Sequence, residues 1–250
     1  MGRVVLLTGE GDSGDIASRY LGARFPDLAV IIEQPESRVL FLRRRLKRLG
    51  IITVVGQIAF MLFQRLQQRR ARPRIDAIVA DLKLGKTPSA VERVTSVNAP
   101  ECIALLRKLD PAVVLVMGTR IIAGEVLRAV GVPFINYHAG ITPKYRGVHG
   151  GYWALAQSDA ESCGATVHLV DEGIDSGAIL YQARIAPGAG DNFSSYPYLQ
   201  LAAALPLLAR AAEDALAGRL TRQPSSLPSR LWTHPTLWGY LMTGLARGIW

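Results

Sequence analysis

The sequence predicts an α/β protein, a Rossmann-like, doubly wound and mainly parallel sheet closed by a hairpin-like return. Three observations carry the prediction. Apolar runs short enough for buried strands alternate with helix-length segments over the first two-thirds of the chain. The first run, Arg3 to Thr8, passes directly into a glycine turn and a helical segment, the opening of a β-α-β unit. From Ala165 the alternation gives way to two neighbouring strand-like runs on either side of a tight acidic-glycine turn.

In chain order, helix is expected from about Asp15 to Arg24 and strand from Leu28 to Ile32. Ser37 to Arg74 reads as helical, with Ile51 to Phe63 as an apolar stretch between basic flanks. At thirteen residues, with Gln57 inside, that stretch is short of the roughly 20 needed to cross a bilayer. Asp76 to Ala80 and Ala90 to Val97 read as strands, and Asn98 is placed to cap a helix running to Leu109 with Pro100 in its first turn. Ala112 to Met117 is a strand, Gly124 to Val130 a helix and Pro133 to Tyr137 a strand. Thr166 to Val170 and Ala178 to Ile185 form the return, and a helix from about Asn192 to Leu216 stops at Gly218. The expected organisation is one catalytic domain over residues 1–220, a basic apolar insertion at about 37–75, and a surface tail, rich in Pro, Ser and Trp, over 221–250.

Composition narrows the function classes. With 49% hydrophobic and 20% charged residues, the 250-residue chain is a folded globular protein. The net charge of +9 is local: eleven of the 29 basic residues and none of the 20 acidic ones fall between Ser37 and Ile75, leaving 18 basic against 20 acidic elsewhere. A general nucleic-acid binder is therefore not expected. The insertion reads as packing helices with a solvated basic face, and secondarily as a peripheral membrane or partner contact. Cys102 and Cys163 form no Cys-x-x-Cys, and the first apolar run is too short for a signal peptide, so a reducing cytoplasm is the expected setting.

The chemistry-bearing residues cluster. Gly9, Gly11 and Gly14 spell G-x-G-x-x-G after the first strand, with Ser13 inside the loop and Glu33 ending the next strand. Such a loop suits a phosphate or a dinucleotide, or is a structural turn. Asn136 and His138 lie on one side of a strand end, where open α/β sheets place ligands, and pair a proton carrier with an amide donor for a developing oxyanion. A carboxylate to orient the imidazole is available in the turn Asp171 to Gly177, without a choice among its members. Lys144 and Arg146 suit an anionic substrate or a solvated turn equally. His138, His149 and His168 lack a zinc-ligand spacing, so no metal is expected.

Four ordered motifs between about Asp76 and Leu216 resemble the folate-dependent formyltransferases, which include the glycinamide ribonucleotide, methionyl-tRNA and sugar-nucleotide enzymes. They are Asn98-Ala99-Pro100-Glu101, Gly118-Thr119-Arg120-Ile121-Ile122, Asn136-x-His138 followed by Pro143-Lys144-Tyr145-Arg146-Gly147, and Gly164-x-Thr166-x-His168 leading to Ile174-Asp175-Ser176-Gly177. The resemblance implies the formyltransferase fold, Asn136, His138 and Asp175 as the catalytic set, and 10-formyltetrahydrofolate as donor. It implies a folate pocket walled by Gly118, Arg120, Ile121 and Ile122 on one side and Val170, Asp171, Glu172 and Gly173 on the other. Gly9, Gly11, Ser13, Lys144 and Arg146 would then face a small amine acceptor. An amino-sugar nucleotide is expected first, glycinamide ribonucleotide second, and initiator tRNA behind both. In this scheme a protonated His138 joins Asn136 on the oxyanion, and Asp175 favours the charged ring. A hydrolase releasing formate, or a dinucleotide-binding oxidoreductase or binding module using the glycine loop, are the rival readings. Where relatives often carry Ser-Leu-Leu-Pro, this chain has Gly140-Ile141-Thr142-Pro143.

Overall fold

The computed structural model describes residues 2–250, apart from the side chains of Arg38, Leu40 and Phe41. Its elements run β1 (Arg3–Gly9), α1 (Asp12–Arg24), β2 (Ala29–Glu33), α2 (Arg38–Leu49), α3 (Ile51–Ala80), β3 (Val91–Val94), α4 (Pro100–Leu109), β4 (Pro111–Met117), α5 (Gly124–Val130) and β5 (Phe134–His138). There follow β6 (Arg146–Gly147), α6 (Gly150–Ala156), β7 (Gly164–Leu169), β8 (Ile179–Arg184), α7 (Tyr196–Leu216), β9 (Leu231–Trp232) and α8 (Leu237–Arg247).

Seven strands form one sheet in the order β3-β2-β1-β4-β5-β7-β8. The first five are parallel, and β7 and β8 return antiparallel. Both faces are covered, which explains why β1 reads as an unbroken apolar run. Val4 and Leu6 pack with α1, α3 and α7, while Val5 and Leu7 pack with α4 and α5. Truncating one of these side chains, Leu6 for example, removes roughly 2–5 kcal/mol. The winding reverses between β1 and β4, and the crevice at their carboxyl ends is where such sheets receive ligands.

Three expectations need correction. Asp76 to Ala80 is not a strand but the last turns of α3, because Ala71, Ile75 and Ile78 repeat at helical spacing and seal against the core; Pro73 sits inside the helix without ending it. Asn98 does not cap α4, which starts after Ala99 without a side-chain cap. Nor does the C-terminal segment lie loosely on the surface. Strand β9 pairs with β6, α8 packs on α3, and Trp232 and Tyr240 are buried. Trp232 stacks on Tyr145 and Trp153, so this segment contributes Trp232 and Tyr240 to the core while residues 221–230 stay exposed. The basic insertion is a helical hairpin, α2 and α3, turned at Gly50, whose φ of 78° is readily held by glycine. No helix is long and apolar enough to cross a membrane among the described residues.

Candidate active site

Strand β5 ends in Phe-Ile-Asn-Tyr-His, so Asn136 and His138 fall on the same side of the sheet at its carboxyl edge. The antiparallel return sets His168 of β7 directly opposite Asn136. Asp175 then arrives from the β7–β8 turn with a φ of 48°, a conformation Asp and Asn tolerate better than most residues. The structure thus brings Asn136, His138 and Asp175 together and adds His168, which the sequence placed in a family motif and weighed as a metal ligand but gave no catalytic role. Its role depends on cross-strand register, which no local pattern in the sequence announces.

Hydrogen bonding assigns the protons. His168 Nδ1 lies 2.8 Å from the Leu169 carbonyl and must donate to it, while its Nε2 sits between Asn136 Nδ2 at 3.1 Å and Asp175 Oδ1 at 3.7 Å. His138 Nε2 lies 2.7 Å from the Tyr145 carbonyl and likewise donates. Its Nδ1 faces Asp175 Oδ2 at 3.3 Å, and the same carboxylate oxygen accepts the Gly147 amide at 2.9 Å. Burial pushes His138 below its ordinary pKa, outweighing the attraction of Asp175 and the Tyr145 carbonyl. Burial acts on Asp175 in the opposite sense, but the two imidazoles and the Gly147 amide overcome it and hold the carboxyl below its usual range. Burial thus favours the neutral ring, the surroundings of Asp175 favour its carboxylate, and the two face each other across 3.3 Å.

The resemblance implied a protonated His138 donating to the oxyanion, but both ring nitrogens already face protein acceptors. Its Nε2 is already engaged by Tyr145, and the ring is only 6% exposed against 15% for the Asp175 side chain. A Cβ on Gly140 would lie 2.7 Å from His138 Nε2, so glycine there is what lets the loop close over the ring. Thr166 secures the same loop, accepting from the Thr142 amide at 3.1 Å and donating to the Gly140 carbonyl at 2.8 Å.

Support for this site comes from the chain's end. Arg146 and Val148 donate their amides to the carbonyls of Arg230 and Trp232, so β9 holds the strand that carries the Tyr145 carbonyl and the Gly147 amide. The large aromatics of the tail were the available signal, since Trp residues in a solvated segment are uncommon.

The other expected site residues divide. Gly9, Gly11 and Ser13 line a cavity of about 410 Å³ with Gly118, Gln68 and Tyr198 at the β1–β4 switch point. Asn136, His138 and Asp175 do not line it, but Asn136 pairs with Val116 of β4, one strand away. Asp12, in the glycine loop, is bridged by Arg72 at 3.4 Å and by the Tyr198 hydroxyl at 3.2 Å. Arg146 stands beside the Asp175 turn, donating to the Ile174 carbonyl at 3.1 Å, and its buried Nε has no partner among the described residues. Lys144 is held 2.6 Å from Asp159, where Tyr145 also donates its hydroxyl, so it belongs to the support beneath the site.

On the expected folate side, Asn98 clamps the loop after β4, donating to the Ile121 carbonyl at 2.9 Å and accepting from the Ala123 amide at 2.8 Å. Arg120 is fixed by Glu33 and by the Thr95 and Gln34 carbonyls. Ile121 projects into solvent, whereas Ile122 is buried in the core and can offer only backbone. Across from this loop, the Val170 amide is spent on Phe134. Asp171 ties the turn by accepting from the Gly173 amide and Ser176 hydroxyl, and exposed Glu172 pairs with Arg128. Glu33, 4% exposed in its side chain, also accepts the amides of Val97 and Arg120. Its oxygens are occupied, so the carboxylate that completed the dinucleotide fingerprint is not available to a ribose.

An open, mostly parallel sheet with an amide, an imidazole and a carboxylate meeting at a strand end beside a glycine-loop crevice defines a class of α/β group-transfer proteins. Residues 51–196 match the model of the formyl transferase family, more than half of the chain, and the protein belongs to that family. It is 34% identical over 115 residues to methionyl-tRNA formyltransferase of Caldanaerobacter subterraneus subsp. tengcongensis, covering 46% of this chain and 37% of that one. It is 31% identical over 109 residues to GDP-perosamine N-formyltransferase of Brucella melitensis biotype 1, covering 43% and 42%. These matches thus span well under half of the curated relatives. Its fold is shared with glycinamide ribonucleotide transformylase 1 from Symbiobacterium toebii (TM-score 0.57, 19% identity, 89% of this chain and 91% of that one). The same holds for the N-formyltransferase from Helicobacter canadensis in complex with folinic acid and dTDP-3-aminofucose (TM-score 0.55, 14% identity, 91% and 70%).

Proposed function

We propose that the protein transfers the formyl group of 10-formyltetrahydrofolate to the primary amine of a nucleotide-linked amino sugar. One observation carries the reading: Asn136, His138, His168 and Asp175, drawn from separate parts of the chain, form a single cluster of contacts one strand away from a crevice large enough for a substrate. The amine lone pair attacks the formyl carbon, and as charge builds on the formyl oxygen the Asn136 amide donates to it. The attacking nitrogen, now acidic, releases its proton to Asp175, the more exposed member of the pair, and the proton passes to the free Nδ1 of His138. The imidazolium so formed is held by the Tyr145 carbonyl and Asp175. Return of that proton to the folate nitrogen allows its bond to the formyl carbon to break, which leaves tetrahydrofolate and the N-formyl product.

The choice of acceptor rests on shape. A second cavity of about 320 Å³, walled by Phe60, Gln64, His149 and His234, shares Ser13, Gln68 and Tyr198 with the glycine-loop cavity. The two make one elongated cleft, which suits a sugar joined to a nucleotide better than the shorter glycinamide ribonucleotide. At its middle the α1 N-terminus, with no side-chain cap, offers amides to a phosphate. The test is to incubate the protein with 10-formyltetrahydrofolate and a panel of amino-sugar nucleotides, glycinamide ribonucleotide and initiator methionyl-tRNA, following tetrahydrofolate release. Release dependent on a sugar nucleotide is expected. Release without any acceptor would identify a hydrolase, and thermal stabilisation by NAD but not by folates would identify a dinucleotide-binding module.

A further inference from the structure

The apolar surface of this protein is gathered in one region. Among the described residues, fifteen of the eighteen large apolar side chains that are exposed belong to α2, α3, α8 or the terminal Trp250. The three helices touch, α3 being the one in the middle, with the Trp238 ring of α8 seated against Gly56 of α3. Helix α3 is apolar on two sides: Val54, Phe60 and Ile75 are buried, whereas Ile52, Val55, Leu62 and Leu66 face solvent, Ile52 at 75% exposure. On α8, Trp238, Leu241, Met242 and Leu245 repeat at helical spacing and are exposed, Leu245 at 81%. An apolar patch of this extent on a folded domain marks a contact.

Charge identifies what is contacted. Helix α2 sets Val39, Leu42 and Leu46 on one stripe and Arg43, Lys47 and Arg48 beside it. Arg43, Lys47, Arg48, Arg65 and Arg69 are exposed and make no ion pair among the described residues. No acidic residue occurs between Ser37 and Ile75 to offset them. A second copy of the chain docked by a two-fold axis would bring two such basic rims together, which is repulsive. A nucleic acid would satisfy the charges and leave the apolar stripes in water. An anionic bilayer surface satisfies both, with apolar stripes at the headgroup boundary, basic side chains among the headgroups and the amphipathic Trp238 and Trp250 between them.

We infer that the α2–α3 hairpin and α8 dock the protein peripherally on an anionic membrane. Met61 and Arg65 of α3 also wall the smaller cavity, so docking holds that end of the cleft near the headgroups.

Flotation of the full chain with phosphatidylcholine vesicles, alone or with phosphatidylglycerol added, tests this. Binding is expected only to the anionic vesicles and is released by high salt. The pair Ile52→Glu/Leu245→Glu and the pair Arg43→Gln/Lys47→Gln should each lower the partition coefficient by about tenfold or more, as basic residues near an anionic surface contribute several-fold each. All four sites are exposed, so thermal midpoints and circular dichroism should stay unchanged; a variant that fails this check is replaced by Leu62→Glu. The inference is overturned if the wild-type chain does not float with anionic vesicles, if both pairs float as well as wild type, or if the apolar pair instead dissolves a concentration-dependent dimer. None of these outcomes depends on formyl transfer.

Discussion

Replacing Asp175 by Asn separates the chemical role of the carboxylate from its structural one. The amide is nearly isosteric, and Asn tolerates the φ of 48° that Ala would adopt only with strain. Its oxygen can keep the Gly147 amide bond of 2.9 Å at the Oδ2 position, which turns its nitrogen toward His168 Nε2, now 3.7 Å from Oδ1. A buried charge is removed while its hydrogen bond to the Gly147 amide is kept, so folding stability should change by no more than about 1 kcal/mol. Catalysis has no such substitute. The amide cannot accept the proton of the attacking amine, and losing a positioned base costs about 10²–10⁴ in rate, equal to about 3–5 kcal/mol of barrier. The assay is tetrahydrofolate release at saturating amino-sugar nucleotide, with urea unfolding of the same preparation. A variant whose rate is within about threefold of wild type would refute the relay. A collapse in stability would show instead that the carboxylate is needed to hold the turn.

Further outcomes follow from other parts of the structure. Burial, with help from each other and from Arg45, pushes His149 down to about 3, and burial with Arg45 pushes His234 down to about 4. Both therefore stay neutral when folded but protonate near 6.5 once unfolded, so the unfolded chain binds more protons and stability is lost as pH falls below about 6.5. Allowing for the partial exposure of the pair, unfolding free energies from urea titration at pH 7 and pH 5 should differ by on the order of 2 kcal/mol, and His149→Asn should flatten that slope. Glu33→Ala should cost about 2–4 kcal/mol by urea titration, since it leaves two amides without their acceptor and the Arg120 guanidinium without its ion pair. Deleting residues 221–250 should abolish cooperative unfolding, by uncovering Tyr145, Trp153 and Phe60. Asn136→Ala should lower turnover by about 10²–10³, seen in single-turnover release, with little change in the thermal midpoint.

The parts of this molecule governed by local rules were legible in its sequence. Buried parallel strands announce themselves as apolar runs, so the sheet and the strand end bearing Asn136 and His138 could be read directly. Asp76 to Ala80 was misread because Ile and Val suit either element, and only the packing of Ile75 and Ile78 against the sheet decides for helix. The choice of Asp175 came from resemblance, which also marked His168 within a motif but not its place beside Asn136, because the β5–β7 register is a long-range property. Asn98 was read as a cap because that residue type suits a helix start, yet its amide is used 23 residues away on Ile121. The same limit hid the tail: a two-residue strand such as β9 has no periodicity, and its pairing with β6 follows from the tertiary fit of Trp232.

The account turns on where the formyl group goes. An isotopically labelled formyl donor, incubated with the protein and an amino-sugar nucleotide and followed by NMR, reports the fate of the labelled carbon directly. The predicted result is a formamide signal on the sugar amine that grows as the donor signal decays, and that is lost in the Asp175→Asn protein. Labelled formate in its place, or a donor signal that never decays with any amine, would contradict it.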